Sequence, residues 1–278
     1  MRVNLQEGIA TVINKAMAKE PDDRFQTMSE MSEVLSTAMA EPIANFHVVM
    51  PCAGSGSRVG ADGPKQYASL AAKPLVVHTL EAFAHMPAMG ASVLVVAPND
   101  LQMHDILHHW PHPQFHVSPT GGATRAQSVL AGLDALQRMG VAESAWVLVH
   151  DAARCLITQE LIARLVTTCQ NDAVGGLLAL PLPDTLKSEH DGRVDQTLDR
   201  GKKWLAQTPQ MFRLGVLRQA LKLAGPQVTD EASAMEAMGL SPRLVASASY
   251  NFKVTYPDDL RLAQSVLIGR ASSDMNRG

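Results

Sequence analysis

The stretch 48–67, "VVMPCAGSGSRVGADGPKQY", joins a short apolar run to a glycine-rich loop that carries an arginine and a lysine. The apolar run predicts a buried strand that ends at Pro51, and the backbone N–H groups of a loop in that position can converge on phosphate oxygens. The spacing fits neither a Walker A loop nor the G-x-G-x-x-G dinucleotide fingerprint. The stretch therefore predicts a phosphate-binding loop of another type.

This loop offers both main-chain and side-chain contacts to a phosphate. Cys52, Ala53 and Gly54 follow the strand directly, and the glycine lets the backbone approach a ligand closely. Arg58 presents a planar fork that suits phosphate, and Lys65 adds a point charge after the Gly-Pro turn. We expect both cations to meet a bound nucleotide. The alternative is a tight surface turn with a solvated arginine and lysine.

From residue 46 onward, short apolar runs alternate with segments of helical pattern, at 74–86, 100–109, 124–139, 158–170, 214–223 and 230–238. This alternation predicts a mainly parallel sheet covered by helices on both faces. We expect a three-layer, doubly wound, Rossmann-like α/β domain over residues 45–270. Ligands of such sheets bind beyond the carboxyl ends of the strands.

One segment interrupts the alternation. Residues 183–210 contain two extended stretches, "TLK" and "VDQTLD", around the turn signal "HDGR". They predict a β-hairpin arm at about 183–205. Because an isolated two-stranded hairpin is only marginally stable, we expect the arm to rest on a second subunit and to form a homodimer.

Composition excludes several classes of protein. The net charge of −3 does not indicate a basic surface, so we expect no nucleic-acid partner. The apolar runs are shorter than a membrane span, so we expect no membrane partner. Cys52, Cys155 and Cys169 form no CxxC pair, which argues against disulfides and structural zinc and favours a reducing cytoplasm. The histidine-rich segment 104–116 lacks accompanying cysteines, and we expect an exposed helix end there rather than a metal site.

The first 44 residues have a different pattern. Residues 9–37 predict a helix, a turn at Glu20-Pro21 and a second helix. The segment "KAMAKEPDDRFQT" resembles the end of the C-lobe of bacterial Ser/Thr protein kinases, but no glycine-rich kinase loop, HRD or DFG motif accompanies it. We expect residues 1–44 to be a non-functional helical extension, and residues 271–278 to be a flexible tail.

An acidic residue ends another predicted strand. In "VLVHDAAR" (147–154), Asp151 follows the apolar run 147–149 and His150, and it is expected to lie beside the predicted phosphate loop. Mg²⁺ prefers carboxylate and phosphate oxygens, so Asp151 is a candidate ligand for it. A turn-forming role is the alternative interpretation of this aspartate.

The glycine loop, "GGATRAQSVLAGL", "VHDAAR", "TPQ", "TDEAS" and "NFKVT" occur in the order found in 2-C-methyl-D-erythritol 4-phosphate cytidylyltransferases, within the broader nucleotidyltransferase family. The resemblance runs from about Phe46 to about Leu267. It implies that Asp151 holds Mg²⁺, that Ala152 contacts the nucleotide through its backbone and that Arg154 faces the sugar phosphate. It also implies that Gly122 and Ser128 read the cytosine of CTP.

The same resemblance assigns the remaining site residues. It directs Lys253 at the phosphates and implies that Thr229 contacts the polyol phosphate. Capping of the helix in "VTDEASAMEAMG" would explain Thr229 equally well. Thr185 and Arg200 of the arm are implied to complete the substrate site of the partner subunit, which makes the active enzyme a homodimer.

Three positions depart from the family pattern. Cys52 stands where alanine is usual, Cys155 where proline is common, and Ala123 where many relatives carry aspartate. We expect both thiols to lie near the nucleotide, because the strands that precede them are predicted neighbours.

The implied reaction joins CTP to 2-C-methyl-D-erythritol 4-phosphate, releasing pyrophosphate, in non-mevalonate isoprenoid biosynthesis. In this scheme Arg58, Lys65 and Lys253 stabilise the growing phosphate charge. Two alternatives stay open: a cytidylyltransferase for another polyol phosphate such as ribitol 5-phosphate, and a non-catalytic nucleotide-binding regulatory protein.

Overall fold

A computed structural model describes residues 12–32, 43–54 and 63–275. The chain divides into two compact units, Met1–Ile43 and Ala44–Gly278. No helix among the described residues is both long and apolar enough to cross a lipid bilayer.

The described part of the first unit is a helix, a turn and a helix, in agreement with the sequence pattern. Residues 12–16 and 28–32 are helical, and a 3₁₀ turn spans Pro21–Asp23 between them. The Nζ atom of Lys15 lies 2.7 Å from a carboxylate oxygen of Glu30, which joins the two helices. Arg24 donates a hydrogen bond of 2.7 Å to the carbonyl oxygen of Ala18 and closes the turn.

The second unit contains eleven strands among its described residues. They are β1 (Phe46–Pro51), β2 (Ser69–Leu70), β3 (Lys73–Pro74), β4 (Met89–Val95), β5 (Phe115–Ser118), β6 (Trp146–Val149), β7 (Gly175–Pro181), β8 (Leu186–His190), β9 (Arg193–Leu198), β10 (Trp204–Arg213) and β11 (Arg243–Ala246). Seven of them form one sheet in the order β11-β7-β10-β6-β1-β4-β5. The pairs β1–β4, β1–β6, β4–β5 and β7–β11 are parallel.

Seven α-helices accompany these strands: α1 (Leu75–Ala84), α2 (Gln102–His109), α3 (Arg125–Arg138), α4 (Gln159–Cys169), α5 (Leu214–Ala224), α6 (Glu231–Ala237) and α7 (Pro257–Met275). The six helical segments predicted from the pattern correspond to α1–α6. The last helix, α7, was not predicted, because its apolar residues do not gather on one stripe. Residues 271–275 belong to α7, so the tail expected from residue 271 is helical as far as Met275.

Both faces of the central strand β6 are buried, since Val147 and Val149 point to one side of the sheet, Leu148 points to the other, and all three are inaccessible to solvent. Val147 and Val149 of β6 pack in one cluster with Leu133 of α3 and Leu217 of α5. A separate cluster contains Leu75 of α1 and residues of the 152–156 region and α7. The predicted three-layer α/β fold is confirmed.

The sheet differs from the prediction in one strand. β10 is antiparallel to both of its neighbours, β6 and β7, so the sheet is mixed. Residues 204–210, which the sequence pattern places in the hairpin segment, instead belong to β10. The hairpin itself consists of β8 and β9. Asp191 and Gly192 between them have φ angles of 49° and 75°, the left-handed pair that a tight hairpin turn requires.

Candidate active site

A cleft of about 510 Å³ lies beyond the carboxyl ends of β1 and β6. Its walls come from four loops that carry predicted site residues. The lining residues are Pro51, Cys52, Ala53, Gly54, Lys65, Gln66, Gly122, Ala123, Thr124, Arg125, Ser128, Asp151, Ala152, Ala153, Lys253 and Thr255. The predicted nucleotide-binding residues at 52, 53, 54, 122, 128 and 152 are thus brought together with Lys65, Asp151 and Lys253.

The loop after β1 is held from within the cleft. The side chain of Gln66 donates a hydrogen bond of 2.7 Å to the carbonyl oxygen of Cys52. Lys65 donates one of 3.1 Å to the carbonyl oxygen of Val254. These two bonds tie the end of β1 and the segment that carries Lys253 to the 3₁₀ turn Lys65–Tyr67. Arg58 lies outside the described residues.

The glycine pair before α3 permits a close approach of two loops. A Cβ atom on Gly121 would lie 2.3 Å from Cβ of Ala53, so only glycine fits between these loops. Thr124 caps α3, and its side chain accepts a hydrogen bond from the backbone of Gln127. The hydroxyl of Ser128 accepts a hydrogen bond of 3.1 Å from the backbone N–H of Gly122. Ser128 therefore holds the loop that faces the cleft.

Asp151 is a buried lining residue of the cleft, in a turn that follows β6. Its carboxylate contacts two cations: Nε of Arg125 lies 2.8 Å from one oxygen, and Nζ of Lys253 lies 2.8 Å from the other. Burial alone would raise the pKa of Asp151, but Arg125 and Lys253 together hold this pKa well below its usual range. Its backbone N–H donates a hydrogen bond of 3.0 Å to Thr208. The carboxylate is thus ionised and fixed in orientation.

Lys253 stands in a segment that is anchored to the same turn. The backbone N–H of Val254 donates to the carbonyl oxygen of Ala153 at 2.9 Å. The guanidinium of Arg154 donates to the carbonyl oxygens of Asn251 and Ala206 at 2.8 and 3.4 Å. Because these bonds join the segment to the turn on both sides, Lys253 and Asp151 keep a defined separation.

A second, smaller cavity of about 250 Å³ adjoins the first. Arg125, Asp151 and Lys253 line both cavities. The further lining residues of the smaller one are Arg154, Ala206, Gln207, Thr208, Gln210, Thr229 and Asp230. The predicted substrate residues Arg154 and Thr229 therefore lie at this cavity, next to the nucleotide cleft.

Arg125 connects the two cavities to α6. Its terminal nitrogens lie 2.6 and 3.1 Å from the two carboxylate oxygens of Glu231. Glu231 is fully buried, and burial raises its pKa against the opposing effect of Arg125. Burial alone would lower the pKa of Arg125, but the carboxylates of Glu231 and Asp151 raise it above its usual value.

One alternative interpretation and one expectation about individual residues are wrong. The N-cap of α6 is Asp230, whose side chain accepts a hydrogen bond of 2.9 Å from the backbone of Ser233, whereas Thr229 precedes the cap. Cys155 does not line the described cleft; it is buried in the cluster formed with Leu75 and α7. Cys52 does line the cleft, where burial raises the pKa of its thiol.

Thr185 and Arg200 are exposed on the hairpin arm and line neither of the two cavities described. Arg200 donates a hydrogen bond to the carbonyl oxygen of Pro183 at the base of the arm. Their predicted role in a partner's substrate site stays a prediction.

Several residues in or beside the cavities were not predicted. Gln66, Thr208 and Glu231 each support a neighbour through a contact between distant parts of the chain. Thr208 belongs to the "TPQ" motif, which was noticed only as part of the resemblance. The acid at 231 was visible in the first turn of a helix, a position that capping and dipole effects explain without a site.

Comparisons with known proteins agree with this geometry. A family model described as 2-C-methyl-D-erythritol 4-phosphate cytidylyltransferase (IspD) matches residues 46–269. The chain is 58% identical over 226 residues to a bifunctional enzyme IspD/IspF of Albidiferax ferrireducens, covering 81% of this chain and 54% of that protein. The chain thus spans about half the length of this bifunctional relative.

Two further similarities extend over nearly the whole of the other protein. The chain is 49% identical over 224 residues to a 2-C-methyl-D-erythritol 4-phosphate cytidylyltransferase of Chromobacterium violaceum, covering 80% of this chain and 97% of that one. The crystal structure of a 4-diphosphocytidyl-2C-methyl-D-erythritol synthase matches with a TM-score of 0.72 and 37% identity, covering 82% of this chain and 100% of that one. The chain therefore belongs to the 2-C-methyl-D-erythritol 4-phosphate cytidylyltransferase family.

Proposed function

We propose that this protein transfers a cytidylyl group from CTP to 2-C-methyl-D-erythritol 4-phosphate and releases pyrophosphate. The observation that carries the proposal is the convergence of Lys65, Asp151 and Lys253 on one cleft, inside the segment that matches the family. The second cavity shares two of these residues, so two phosphate-bearing substrates can meet between the cavities.

The reaction needs no protein nucleophile. A phosphate oxygen of the polyol phosphate is already an anion and attacks the α-phosphorus of CTP. A new P–O bond forms there as the bond from the α-phosphorus to the bridging oxygen of the β-phosphate breaks, and pyrophosphate leaves. Catalysis then consists of positioning and of charge stabilisation, for which Lys65 and Lys253 line the cleft and Arg58 is the third predicted cation.

Two main-chain features support nucleotide binding in the larger cavity. The residues after β1, Cys52 to Gly54, and Ala152 after β6 present their backbone at the carboxyl ends of neighbouring parallel strands. Gly122 and Ser128, before and within α3, form a second part of the lining. We infer that the phosphates lie against the first part of the lining and that the cytosine lies against the second.

We propose that Asp151 holds a divalent cation, Mg²⁺ by preference. No group of three or more metal-binding side chains exists among the described residues, but Mg²⁺ is commonly held by one or two carboxylates together with substrate phosphate oxygens. Asp151 is ionised and faces the cleft, so its donor chemistry fits this pattern. When bound, the cation would neutralise phosphate charge.

We infer a homodimer formed through the hairpin arm. All six residues of β9 are exposed, and two of them, Val194 and Leu198, are apolar. The side chains of Trp204 and Leu205 at the base of the arm are also exposed. An exposed two-stranded ribbon with apolar residues requires a partner for stability, and a second copy would place Thr185 and Arg200 in trans.

Trans complementation tests this arrangement. We expect Lys65→Ala and Arg200→Ala homodimers to be inactive and a mixture refolded together to recover activity, because each hybrid dimer contains one intact composite site. A monomer at micromolar concentration in sedimentation analysis, or no recovery in the mixture, would remove the dimer proposal without touching the proposed chemistry.

A pyrophosphate-release assay tests the main proposal. The protein is supplied with CTP, Mg²⁺ and equal concentrations of 2-C-methyl-D-erythritol 4-phosphate and ribitol 5-phosphate, and the CDP-alcohols are separated. We expect the methylerythritol product to predominate. A predominance of CDP-ribitol would support the alternative polyol, and CTP binding without turnover on either alcohol would support a regulatory nucleotide-binding protein.

The state of the cysteines bears on the cellular compartment of the protein. All three cysteines are free and buried, which is the usual condition of thiols in a reducing environment. We therefore infer a cytoplasmic enzyme.

A further inference from the structure

Glu231 is fully buried beside the two cavities, and the proposed reaction gives it no part. We propose that Glu231 is a positioning residue for cytidylyl transfer: it holds Arg125, and through Arg125 the carboxylate of Asp151, between the two cavities. The inference rests on the proposed function and adds to it a residue that does not touch either substrate.

The contacts form a continuous chain of three side chains. Both oxygens of Glu231 accept hydrogen bonds from Arg125, at 2.6 and 3.1 Å, and this two-point contact fixes the plane of the guanidinium. The remaining Nε of Arg125 donates to Asp151 at 2.8 Å. A shift of Glu231 would therefore be transmitted to Asp151 through a rigid planar group.

Arg125 is better suited to positioning than to binding an anion. It faces two carboxylates, so its positive charge is already balanced before a phosphate arrives. Its side chain is 25% exposed, against 38% for Lys253, which contacts Asp151 alone among the described carboxylates. We infer that Lys253 serves the substrates while Arg125 aligns the carboxylate.

Stability alone is a weak reason for this arrangement. A buried ion pair often contributes less to stability than apolar side chains of the same size, because both charges lose their hydration. The ion pairs instead fix the positions of three elements around the cavities. The chain of contacts joins the start of α3 and the turn after β6, which line both cavities, to the start of α6, which borders the smaller one.

The start of α6 has a second anchor that does not involve Glu231. The side chain of Gln210 accepts a hydrogen bond of 2.8 Å from the backbone N–H of Ala232 and donates one of 2.9 Å to Asp230. Because Gln210 belongs to β10, α6 stays attached to the sheet when Glu231 is changed. Substitution of Glu231 can thus separate positioning from folding.

The test compares Glu231→Gln with the wild-type enzyme in the pyrophosphate-release assay and in calorimetric titration with CTP. Glutamine keeps the volume but loses the charge and one acceptor. We expect kcat to fall about 10- to 100-fold, as for other residues that orient a ligand from behind. We expect the Kd for CTP to change by less than about threefold, because the loss concerns alignment during the reaction.

A double variant shows whether Glu231 acts through Arg125. If it does, Arg125→Met combined with Glu231→Gln has a kcat no lower than Arg125→Met alone. Asp134→Asn is the matched control, because Asp134 of α3 also pairs with an arginine, Arg218 of α5, and neither residue lines either of the two cavities described. We expect this control to keep the wild-type kcat.

Three results would overturn the inference: an unchanged kcat in Glu231→Gln, independent losses that multiply in the double variant, or a parallel loss of kcat, CTP affinity and melting temperature. Should Glu231→Gln fail to fold, Glu231→Asp replaces it in the test. Aspartate keeps the charge, but its shorter side chain moves the carboxylate away from Arg125, and we expect the same changes in kcat and Kd. A wild-type protein that binds CTP but shows no turnover would instead overturn the proposed function, and this inference with it.

Discussion

Nζ of Lys253 lies 2.8 Å from Oδ2 of Asp151, so the cation proposed for the phosphates is paired with the carboxylate proposed for the metal. The pairing keeps both side chains in place in the absence of substrate. If Asp151 holds the proposed divalent cation, Lys253 would be available to a phosphate oxygen, so each partner would keep an ion of opposite charge beside it.

The first prediction concerns the charge of Lys253. We expect Lys253→Met to lower kcat/KM on the order of 10²-fold, because one donor to the developing charge is lost. Lys253→Arg should recover part of this loss, since it restores a cation. Steady-state pyrophosphate release measures both variants. Equal activity of the methionine and wild-type enzymes would show that Lys253 only stabilises Asp151.

The second prediction concerns Lys65. We expect Lys65→Ala to abolish measurable pyrophosphate release without unfolding the protein, because the lysine lines the cleft from the turn after the glycine loop. Lys73→Ala is the control: Lys73 pairs with Glu81 at 2.6 Å in an exposed position near the same turn. Circular dichroism and the release assay on both variants decide the matter, and near-normal activity of Lys65→Ala would contradict its assignment.

The strands and helices around the site could be predicted because their signals are local. The apolar run before Pro51, the glycines at 121 and 122 and the "HDGR" turn each fall within a few residues of the feature that they indicate. β10 could not be predicted in the same way. Pro209 lies inside it and normally argues against a central strand. The structure accommodates the proline where the register with β7 shifts, between Ala206 and Gln210.

The contacts that complete the site are not local. Arg125 and Glu231 are separated by 106 positions, and no spacing rule joins them. The error at α6 has a smaller cause. Thr229 and Asp230 are adjacent and both are good N-cap residues, so only the backbone geometry shows which of them accepts the hydrogen bond from Ser233.

The third prediction concerns the close approach at Gly121. A Cβ atom there would also lie 2.7 Å from the carbonyl oxygen of Val96, so Gly121→Ala must push apart two loops of the cleft. We expect a loss of about 1–3 kcal/mol in the free energy of unfolding, as for other overpacked sites. Gly54→Ala is the control, because nothing lies within 4 Å of its added Cβ. Urea unfolding of both variants provides the comparison, and equal stability would contradict the described loop packing.

The last prediction concerns alkaline pH. Burial raises the pKa of the Cys155 thiol from 9.0 to about 12, so between these values the folded protein retains a proton that the unfolded chain has lost. The contribution of this thiol to the free energy of unfolding is therefore complete below about pH 9 and declines as the pH rises towards 12.

We expect the free energy of unfolding to fall between about pH 8 and pH 10.5, and to fall less steeply in Cys155→Ser, whose hydroxyl does not ionise in this range. Because burial also raises the pKa of Cys169 to about 12, the slope should decrease without vanishing. Identical slopes for the two proteins in urea titrations would show that the Cys155 thiol is accessible to solvent in the folded state.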